Sequence, residues 1–432
     1  MLRVKIKIGK ITLVDKQSIG SCLLFIWFLN VPLQTVLRFF LTRLSIYGFA
    51  RNVILFSATL VPIILFFVCI RSVSKKYYRH FFAIYIAVVL MFLYVYIDKP
   101  EMRYFITRAD YGLPRVLYPD SAIFAFLFFS LCSSIEELFE VVKKFVFIDF
   151  GYLLLFQFIP AYINGGWSDI SYDGTMVLRS YSLSFGYNML LPAIFFLYLY
   201  LKGKKICYLV LSCICIALIF TNGSRGALLM LALFIGLMTI SNIIDSHNTS
   251  YKLLKVILII VCILILYFCG EWILQEIASI LHNFGIQSRS LDLFLSGDIS
   301  DNSGRDSIWA ASINGILEGG IFGNGVFGDR PFVFPLHYAA YSHNIILEIV
   351  CSFGVIGIII CILLAVGAIR MIFFCPYTKA REMFIIFFSI ASQLFLSLSF
   401  WYVWEFWAAI AIAYKYFQIS KEQRINKRKV PK

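Results

Sequence analysis

The stretch NIILEIVCSFGVIGIIICILLAVGAI, residues 344–369, holds a single charged side chain, Glu348, in an otherwise apolar and small-residue run. About 20 apolar residues in a helix cross the roughly 30 Å hydrocarbon core of a bilayer, because each residue adds about 1.5 Å. This stretch therefore predicts a membrane-spanning helix. The whole chain has the same character, since 61% of its 432 residues are hydrophobic and only 14% are charged. That composition excludes a water-soluble enzyme and a disordered chain.

Comparable apolar stretches recur along the chain and predict an all-α, polytopic integral membrane protein with about twelve transmembrane helices. We treat residues 1–432 as a single transmembrane domain. The predicted spans are 18–37, 52–70, 81–97, 113–132, 145–163, 184–201, 206–222, 226–244, 256–274, 344–369, 383–399 and 401–418.

The loops between these spans set the predicted orientation. Most of the 38 lysines and arginines fall in the loops on one side, including the tail KEQRINKRKVPK at residues 421–432. Cytoplasmic loops carry such an excess, so both termini are predicted to be cytoplasmic. The net charge of +14 is then a signal of topology, and nucleic-acid binding is not needed to explain it.

The basic residues that remain on the predicted outer side are nearly all arginines. Arginine presents a planar fork of donors that suits phosphate and carboxylate groups. This bias indicates an anionic ligand on the outer face, and the alternative is scattered pairing with acidic side chains and lipid headgroups. The arginines in question are Arg38, Arg43, Arg51, Arg103, Arg108, Arg115, Arg179, Arg225, Arg289, Arg305 and Arg330.

One loop, residues 275–342 between the ninth and tenth spans, is much longer than the others, and long loops tend to carry function. We predict that it is periplasmic and partly helical. The run RDSIWAASINGILEGG, residues 305–320, predicts a helix with one apolar face; that face comprises Ile308, Trp309, Ile313, Ile316 and Leu317. Glycines 323, 325 and 328 follow in a turn, which is either a phosphate-binding nest or an ordinary glycine-rich turn.

Two arginines are the main candidates for contact with an anion. Arg225, in TNGSRGA at residues 221–227, lies at the edge of the hydrocarbon region, where an arginine is costly and by default functional. The alternative is a topological anchor. Arg305 opens the predicted loop helix, where a positive charge opposes the helix dipole. A bound anion would explain its position; the alternative is stacking on Trp309.

His343 is the candidate general base. We predict that it occupies the first turn of the tenth span with Ser342 as N-cap, where the positive helix end favours a neutral imidazole. The alternative is an interfacial histidine bonded to a carbonyl group. No acidic residue that orients it is evident, since Glu348 is off its helical face. A metal site with His337 and Asp329 does not fit a familiar spacing.

An aromatic cluster near the twelfth span is predicted to form an interfacial belt, with stacking on sugars as the alternative. It consists of Trp401, Tyr402, Trp404 and Trp407.

Four motifs together resemble the O-antigen polymerase and O-antigen ligase superfamily of membrane glycosyltransferases. They are TNGSRGALL (221–229), SGRDSIW (303–309), GNGVFG (323–328) and SHNIILEIVCSFGVIG (342–357).

The resemblance implies a metal-independent glycosyltransferase, without a cofactor, in the bacterial inner membrane and with its active site facing the periplasm. It implies transfer of a growing glycan from undecaprenyl diphosphate to a new lipid-linked repeat unit. Arg225 and Arg305 would bind the diphosphate, and His343 would activate the acceptor hydroxyl. Arg289, Arg330 and Arg179 are candidate further substrate contacts. A chain-length regulator and a flippase are the implied protein partners.

Three functions remain open at this stage. A polymerase is favoured because the chain has many spans and no appended soluble domain. A ligase differs only in its acceptor, the lipid A core. A flippase for the same lipid-linked unit belongs to a different class, and it would more often show internal repeats and charged residues at the bilayer midplane.

Overall fold

The structure is a computed structural model that describes residues 18–170, 175–223, 225–245 and 304–429, together with residues 7–8, 11–12 and a few positions between 272 and 295. Within these ranges the chain is mostly helical. The α-helices are α1 (Ile19–Phe28), α2 (Asn30–Arg43), α3 (Gly48–Cys69), α4 (Lys75–Asp98), α5 (Arg103–Thr107), α6 (Leu113–Leu117), α7 (Phe124–Leu131), α8 (Ile135–Leu153), α9 (Ile159–Ile163), α10 (Leu183–Gly203), α11 (Ile206–Asn222), α12 (Arg225–Asp245), α13 (Arg305–Gly319), α14 (Arg330–Val333), α15 (Ile345–Phe374), α16 (Thr378–Ala391) and α17 (Trp404–Lys429).

Shorter elements join these helices. Three 3₁₀ turns lie at Ile70–Ser72, Pro100–Met102 and Ser392–Phe395, and a π-helical turn, Leu154–Phe158, connects α8 to α9. Two antiparallel hairpins pair β1 (Lys7–Ile8) with β2 (Ile11–Thr12), and β3 (Trp167–Ile170) with β4 (Met176–Arg179).

Six helical runs in the described ranges are long and apolar enough to cross a membrane: Gly48–Ser72, Lys75–Asp98, Ile135–Ile163, Leu183–Gly203, Arg225–Asp245 and Ile345–Phe374. The pair α1 and α2 adds a seventh if its 44° bend lies within one span. A mostly helical fold with several membrane-spanning helices, as predicted from composition, is confirmed. The total of twelve spans, the cytoplasmic termini and the periplasmic side of the large loop stay predictions.

Two segments differ from the sequence-based expectation. The predicted span 113–132 is not one helix but α6 and α7, because Pro119 favours extended backbone at Tyr118, whose ψ is 145°. All eight residues of α7 are buried, so this helix packs in the protein interior. The predicted cytoplasmic loop 133–144 is mostly helix, since Ser134 caps α8 by accepting from the Glu137 amide at 3.2 Å.

The other predicted spans coincide with described helices in most cases. The eleventh corresponds to α16, which has only 14 residues, and the twelfth to α17. The predicted span 256–274 lies outside the described residues. The predicted loop 275–342 is described continuously from Gly304 onwards.

Ion pairs show that α10, α12 and α15 end on the same side of the molecule. Arg381, early in α16, bonds to Asp245 at the end of α12 and donates to the carbonyl oxygen of Cys375, just after α15. The next residue, Glu382, pairs with Lys202 near the end of α10. The helices α10 and α12 each have 21 residues, which is about 30 Å of helix. Their first residues therefore lie at the end of the molecule opposite to Arg381 and Glu382.

The helix α15 is broken at Gly354, whose φ of 55° and ψ of −129° are not helical. The turn after α13 packs into this break and pairs the backbone groups that a broken helix leaves unpaired, which would be costly to bury alone. The hydrogen bonds run from the amides of Asn324, Gly325 and Val355 to the carbonyl oxygens of Cys351, Ser352 and Ile321, at 2.9, 2.8 and 2.9 Å respectively.

These contacts need glycine on both sides of the break. A Cβ atom on Gly354 would lie 2.2 Å from the Ile321 carbonyl oxygen, and one on Gly323 would lie 2.5 Å from the Gly354 nitrogen. Both glycines have positive φ, which only glycine adopts at low cost. The phosphate-nest alternative for this turn is wrong, because its amides at Asn324 and Gly325 already donate to α15.

Replacing Gly354 with alanine is therefore expected to cost on the order of 3 kcal/mol, from backbone strain and the clash with Ile321. Gly367→Ala is the matched control on the same helix, since nothing lies within 4 Å of its added Cβ and alanine favours helix by up to about 1 kcal/mol. Thermal unfolding of the detergent-purified proteins should show a large drop in melting temperature for Gly354→Ala and none for Gly367→Ala. Equal melting temperatures would contradict the role given to this turn.

Candidate active site

Arg305 begins α13, directly after Gly304, whose φ is +76°. The predicted loop helix is confirmed. Its predicted apolar face is correct for Ile308, Trp309 and Ile316, which are buried or partly buried, and wrong for the other two residues. The buried positions are Ile308, Ser312 and Gly315, whereas Ile313 and Leu317 are exposed. Small residues are needed on the buried face because α13 packs closely on α15.

The alternative of Arg305 stacking on Trp309 is not seen: no cation–π contact joins these two residues, both of which the structure describes. The indole nitrogen of Trp309 is enclosed and has no hydrogen-bond partner among the described residues. The predicted contact of Arg305 with an anion is left as a prediction.

His343 precedes α15 and does not lie in its first turn. The N-cap is Asn344, whose side chain accepts from the amides of Ile346 and Leu347 at 3.0 and 3.3 Å. The predicted cap, Ser342, does not cap α15 and instead donates hydrogen bonds to Asp329. His343 itself has a φ of 50°, an uncommon conformation in which histidine is several-fold enriched among non-glycine residues, and such strained positions cluster at functional sites.

Ser342 is held by an acidic residue that the sequence did not reveal as a partner. Asp329 accepts from the Ser342 amide at 2.8 Å and from its hydroxyl at 2.7 Å. The Ser312 hydroxyl of α13 lies 2.9 Å from the Ser342 hydroxyl. All three of these side chains are fully buried. Asp329 thus fixes the backbone immediately before His343 without touching the imidazole.

The surroundings of His343 keep its imidazole neutral. Its ring lies 4.5 Å from that of Tyr341 and 5.0 Å from that of His337. Burial, followed by the positive charges of His337, Arg305 and Arg330, lowers the pKa of His343 to about 3. The neutral form was predicted, but its main cause is burial and not the helix end.

The ring nitrogen Nε2 of His343 is enclosed and has no hydrogen-bond partner among the described residues. A neutral imidazole nitrogen without a partner can accept a proton from a hydroxyl group that is brought to it. The geometry of this residue therefore suits the role of a general base.

Arg330 is almost fully buried, with 1% of its surface exposed. Its Nη2 lies 3.3 Å from Glu348 Oε1, and that oxygen accepts from the Ser399 hydroxyl at 2.5 Å. The guanidinium also lies over the rings of Phe327 and Tyr341, at 4.7 and 5.3 Å. Arg330 and Glu348 thereby join α14, the first turn of α15 and the segment after α16.

The predicted substrate contact of Arg330 stays a prediction, and the structure adds a positioning role. Its Nε and Nη1 atoms have no hydrogen-bond partner in the described part of the chain. Glu348, which sequence reasoning set aside as off the face of His343, is the residue that anchors Arg330.

Arg225 and Arg179 form a second group, where the N-terminal ends of α10 and α12 meet. Arg225 is the first residue of α12 and Arg179 ends β4. The glycines beside Arg225 permit close packing against α10, since a Cβ on Gly223 would lie 2.9 Å from the Cα of Gly186 and one on Gly226 would lie 2.1 Å from the Tyr187 hydroxyl. This group is at the same end of the molecule as the break in α15. Arg289 lies outside the described residues.

The aromatic cluster 401–407 is not an exposed interfacial belt. Trp401 and Trp407 are buried, and Trp401 packs against Phe92 and Phe327 with ring centroids 5.4 and 6.1 Å apart. Burial against the protein interior, and not lipid contact, determines these positions.

Among the described residues, no group of three or more histidine, cysteine, aspartate or glutamate side chains is arranged to hold a metal ion.

Residues 207–362 match the protein family described as O-antigen ligase (Wzy_C). This segment is similar to that family, and we refer to residues 207–362 as the O-antigen ligase family domain. The match confirms the resemblance to the O-antigen polymerase and ligase superfamily. The domain includes every predicted site residue except Arg179. No curated protein and no solved structure matches the chain.

Separating Arg330 from Glu348 is expected to destabilise this domain. Arg330→Met leaves the buried carboxyl groups of Glu348 and Asp329 without their cation, at a cost of roughly 3–5 kcal/mol. Glu348→Met leaves Arg330 with Asp329 as its remaining ion-pair partner among the described residues, 3.8 Å away, and is expected to cost less. The double variant still leaves Asp329 without a cation and should recover only part of the stability lost in Arg330→Met. Thermal unfolding of the three purified variants tests this, and unchanged melting temperatures for the single variants would contradict the proposed anchoring.

The low pKa of His343 predicts an acid-dependent loss of stability. In the unfolded chain its imidazole titrates near 6.5, whereas in the fold it titrates near 3. Below pH 6.5 the unfolded state takes up a proton that the folded state does not, so stability falls as pH falls from 6.5 towards 3.

We therefore compare the protein with His343→Asn, which keeps a neutral side chain that tolerates positive φ. Between pH 7.5 and pH 5 the protein with His343 should lose about 2 kcal/mol more than the variant. Thermal unfolding at the two pH values measures this difference. A pH response that is identical in both proteins would show that His343 is not buried in neutral form.

Proposed function

We propose that the protein is a bacterial O-antigen polymerase that transfers a growing glycan from undecaprenyl diphosphate to a new lipid-linked repeat unit. In this proposal the chain has about twelve spans in the inner membrane and both termini in the cytoplasm. The loop at residues 275–342 and the N-terminal ends of α10, α12 and α15 face the periplasm. The single observation that carries the proposal is His343, neutral and strained, beside Arg305 within the O-antigen ligase family domain.

The chemistry follows from the properties of these side chains. The acceptor hydroxyl oxygen attacks the anomeric carbon of the first sugar of the growing chain, and its proton passes to Nε2 of His343. The bond between that carbon and the phosphate oxygen breaks, and undecaprenyl diphosphate leaves with the electron pair. Arg225 and Arg305 stabilise the negative charge that develops on the diphosphate. Neither step requires a metal ion in this scheme.

The other arginines have supporting roles in the proposal. Arg289 and Arg179 are further contacts for the substrate. Arg330 acts mainly through Glu348 and Asp329, which hold the backbone on either side of His343. A chain-length regulator and a flippase are the proposed protein partners.

An O-antigen ligase is the second candidate, because the matched family carries that description. The two reactions share the donor, the leaving group and the need for a base, and they differ in the acceptor, which is the lipid A core for a ligase. The family match favours either transferase over a transporter of the lipid-linked unit.

A strain of the source bacterium that lacks this gene distinguishes these functions. Surface lipopolysaccharide is separated on a gel, and lipid-linked glycans are extracted in parallel. A core that carries one repeat unit is the result expected for a lost polymerase. Bare core with long glycans still on the lipid carrier would instead identify a ligase. Single repeats trapped on the cytoplasmic side would identify a transporter and would contradict the proposed site.

Variants of the site test the assigned roles in the same strain. Arg305→Ala and His343→Ala are expected to lower the amount of long glycan at least about a hundredfold, because general bases and charge-stabilising groups each contribute roughly 10²–10³ in rate. Arg71→Ala is the control, since Arg71 is an exposed arginine in the 3₁₀ turn after α3 and is not one of the predicted outer arginines. Immunoblots of membranes should show equal amounts of all three variants. Full activity in both site variants would mean that the residues are wrongly assigned.

A further inference from the structure

A cavity of about 290 Å³ lies apart from His343, and the residues that line it are outside the O-antigen ligase family domain. Its wall includes the bend between α1 and α2, the end of α8 with its π-helical turn, α10, and the segment 402–405 that leads into α17. Ligand sites in proteins usually measure roughly 300–1,000 Å³, so this cavity suits a small ligand group. Both the bend and the π turn interrupt regular helix, and π turns occur frequently at functional sites.

Two polar side chains of the cavity wall, Asn188 and Asp149, have no hydrogen-bond partner among the described residues. Asn188 is exposed although its neighbours Tyr187 and Met189 on α10 are buried, which is explained by its side chain lining the cavity. Neither Asn188 nor Asp149 of α8 makes a side-chain hydrogen bond to any described residue.

Two further carboxyl groups line the same space. Glu405 is 8% exposed and makes no hydrogen bond to another described side chain. Asp120 accepts from Gln34 through Oδ2 at 3.3 Å, whereas its Oδ1 is enclosed without a partner. Buried polar atoms are nearly always paired with protein, water or ligand. The enclosed Asp120 oxygen and the buried Glu405 carboxyl group therefore suit a ligand that offers hydrogen-bond donors.

Aromatic rings form much of the remaining wall. They belong to Trp27, Phe28, Phe145, Tyr402 and Trp404. Trp27 and Trp404 meet edge to face, with ring centroids 6.1 Å apart, and the Trp27 indole is held by donating to the Pro119 carbonyl oxygen at 3.2 Å. The negatively polarised face of an aromatic ring attracts C–H groups. The cavity therefore combines flat apolar surfaces with carboxyl and amide groups.

A sugar ring has the matching chemistry, because it presents C–H groups on its faces and hydroxyl groups around its edge. A lipid chain would leave the carboxyl groups unpaired, and a phosphate group would be repelled by them. Arg115 is exposed, lines the same cavity and forms no ion pair with a described residue.

A line of aromatic rings leads from this cavity to the candidate base. Tyr402 lines the cavity, and its hydroxyl donates to the Tyr111 carbonyl oxygen at 2.5 Å. The ring of Tyr111 lies 6.0 Å from that of Tyr402 and 6.1 Å from that of Tyr341, which in turn contacts His343. These ring contacts connect the wall of the cavity to the segment that holds His343.

We propose that the cavity bounded by the α1–α2 bend, the π turn of α8 and Tyr402–Glu405 is a binding site for a non-acidic sugar of the glycan substrate. This inference rests on the proposed transferase function and assigns the sugar to residues outside the family domain.

Binding to the purified full-length protein tests the site. The probe is the free oligosaccharide released by mild acid from the cell's own lipid-linked repeat unit, so that neither lipid nor diphosphate contributes. Calorimetric titration should show binding that Asp149→Asn and Glu405→Gln each weaken about three- to tenfold, since the loss of one buried hydrogen bond costs roughly that factor. Glu140→Gln, a half-exposed carboxyl of α8 paired with Lys143, is the control and should bind normally.

The remaining outcomes decide against the site. Binding that is lost in His343→Asn but retained in both cavity variants would place the sugar at the loop and overturn the proposal. Absence of binding to the unaltered protein would overturn it as well, and so would binding that requires an added divalent cation, since the carboxyl groups would then be ion ligands.

Activity measurements separate this proposal from the proposed function. The cavity variants are expected to raise KM for the lipid-linked unit more than they lower kcat, because they remove binding and not chemistry. If deletion of the gene leaves surface glycans unchanged, the proposed function fails. If deletion abolishes long glycans but the cavity variants restore them with unaltered KM, only the cavity assignment fails.

Discussion

The arrangement around His343 depends on three backbone hydrogen bonds between the glycine turn after α13 and the break in α15 at Gly354. A membrane helix cannot be interrupted cheaply, because unpaired peptide groups have no water to replace their partners. Here the turn at residues 321–325 supplies those partners. The roughly 20 residues of α15 after the break match the thickness of a bilayer. The part of α15 before the break packs against α13 and begins directly after His343 and its N-cap Asn344.

Buried charged side chains also position the segment around His343. Asp329 holds Ser342, and Glu348 holds Arg330, so that His343 lies between two anchored segments. Burial, followed by the charges of His337, Arg305 and Arg330, lowers the pKa of His343 and keeps its imidazole neutral. A site that is to handle a diphosphate needs positive charge, whereas a base needs to remain unprotonated in that field. Both requirements are met together, because burial of His343 and the nearby arginines each disfavour the protonated imidazole.

The sequence predicts some of this organisation and cannot predict the rest. The apolar stretches 81–97 and 184–201 identify α4 and α10, because their length and composition are enough to predict a membrane-spanning helix. The loop helix α13 also follows from its periodicity, but its buried face does not, since Ser312 and Gly315 are buried through their small size. Ser342 and Asn344 are both suitable N-caps, and only the partner Asp329 decides between them. The pairs Glu348–Ser399 and Arg330–Glu348 join residues 51 and 18 positions apart, and no local pattern reports such contacts.

In the proposed mechanism, the family domain supplies Arg225, Arg305 and His343, and residues on both sides of that domain in the sequence supply the cavity. The most direct test is a cryo-electron microscopy structure of the full-length protein with its lipid-diphosphate-linked repeat unit bound. The account predicts a diphosphate in contact with both Arg225 and Arg305 and a sugar hydroxyl within roughly 2.6–3.2 Å of His343 Nε2. A diphosphate bound away from both arginines, or an imidazole that faces no substrate atom, would contradict it.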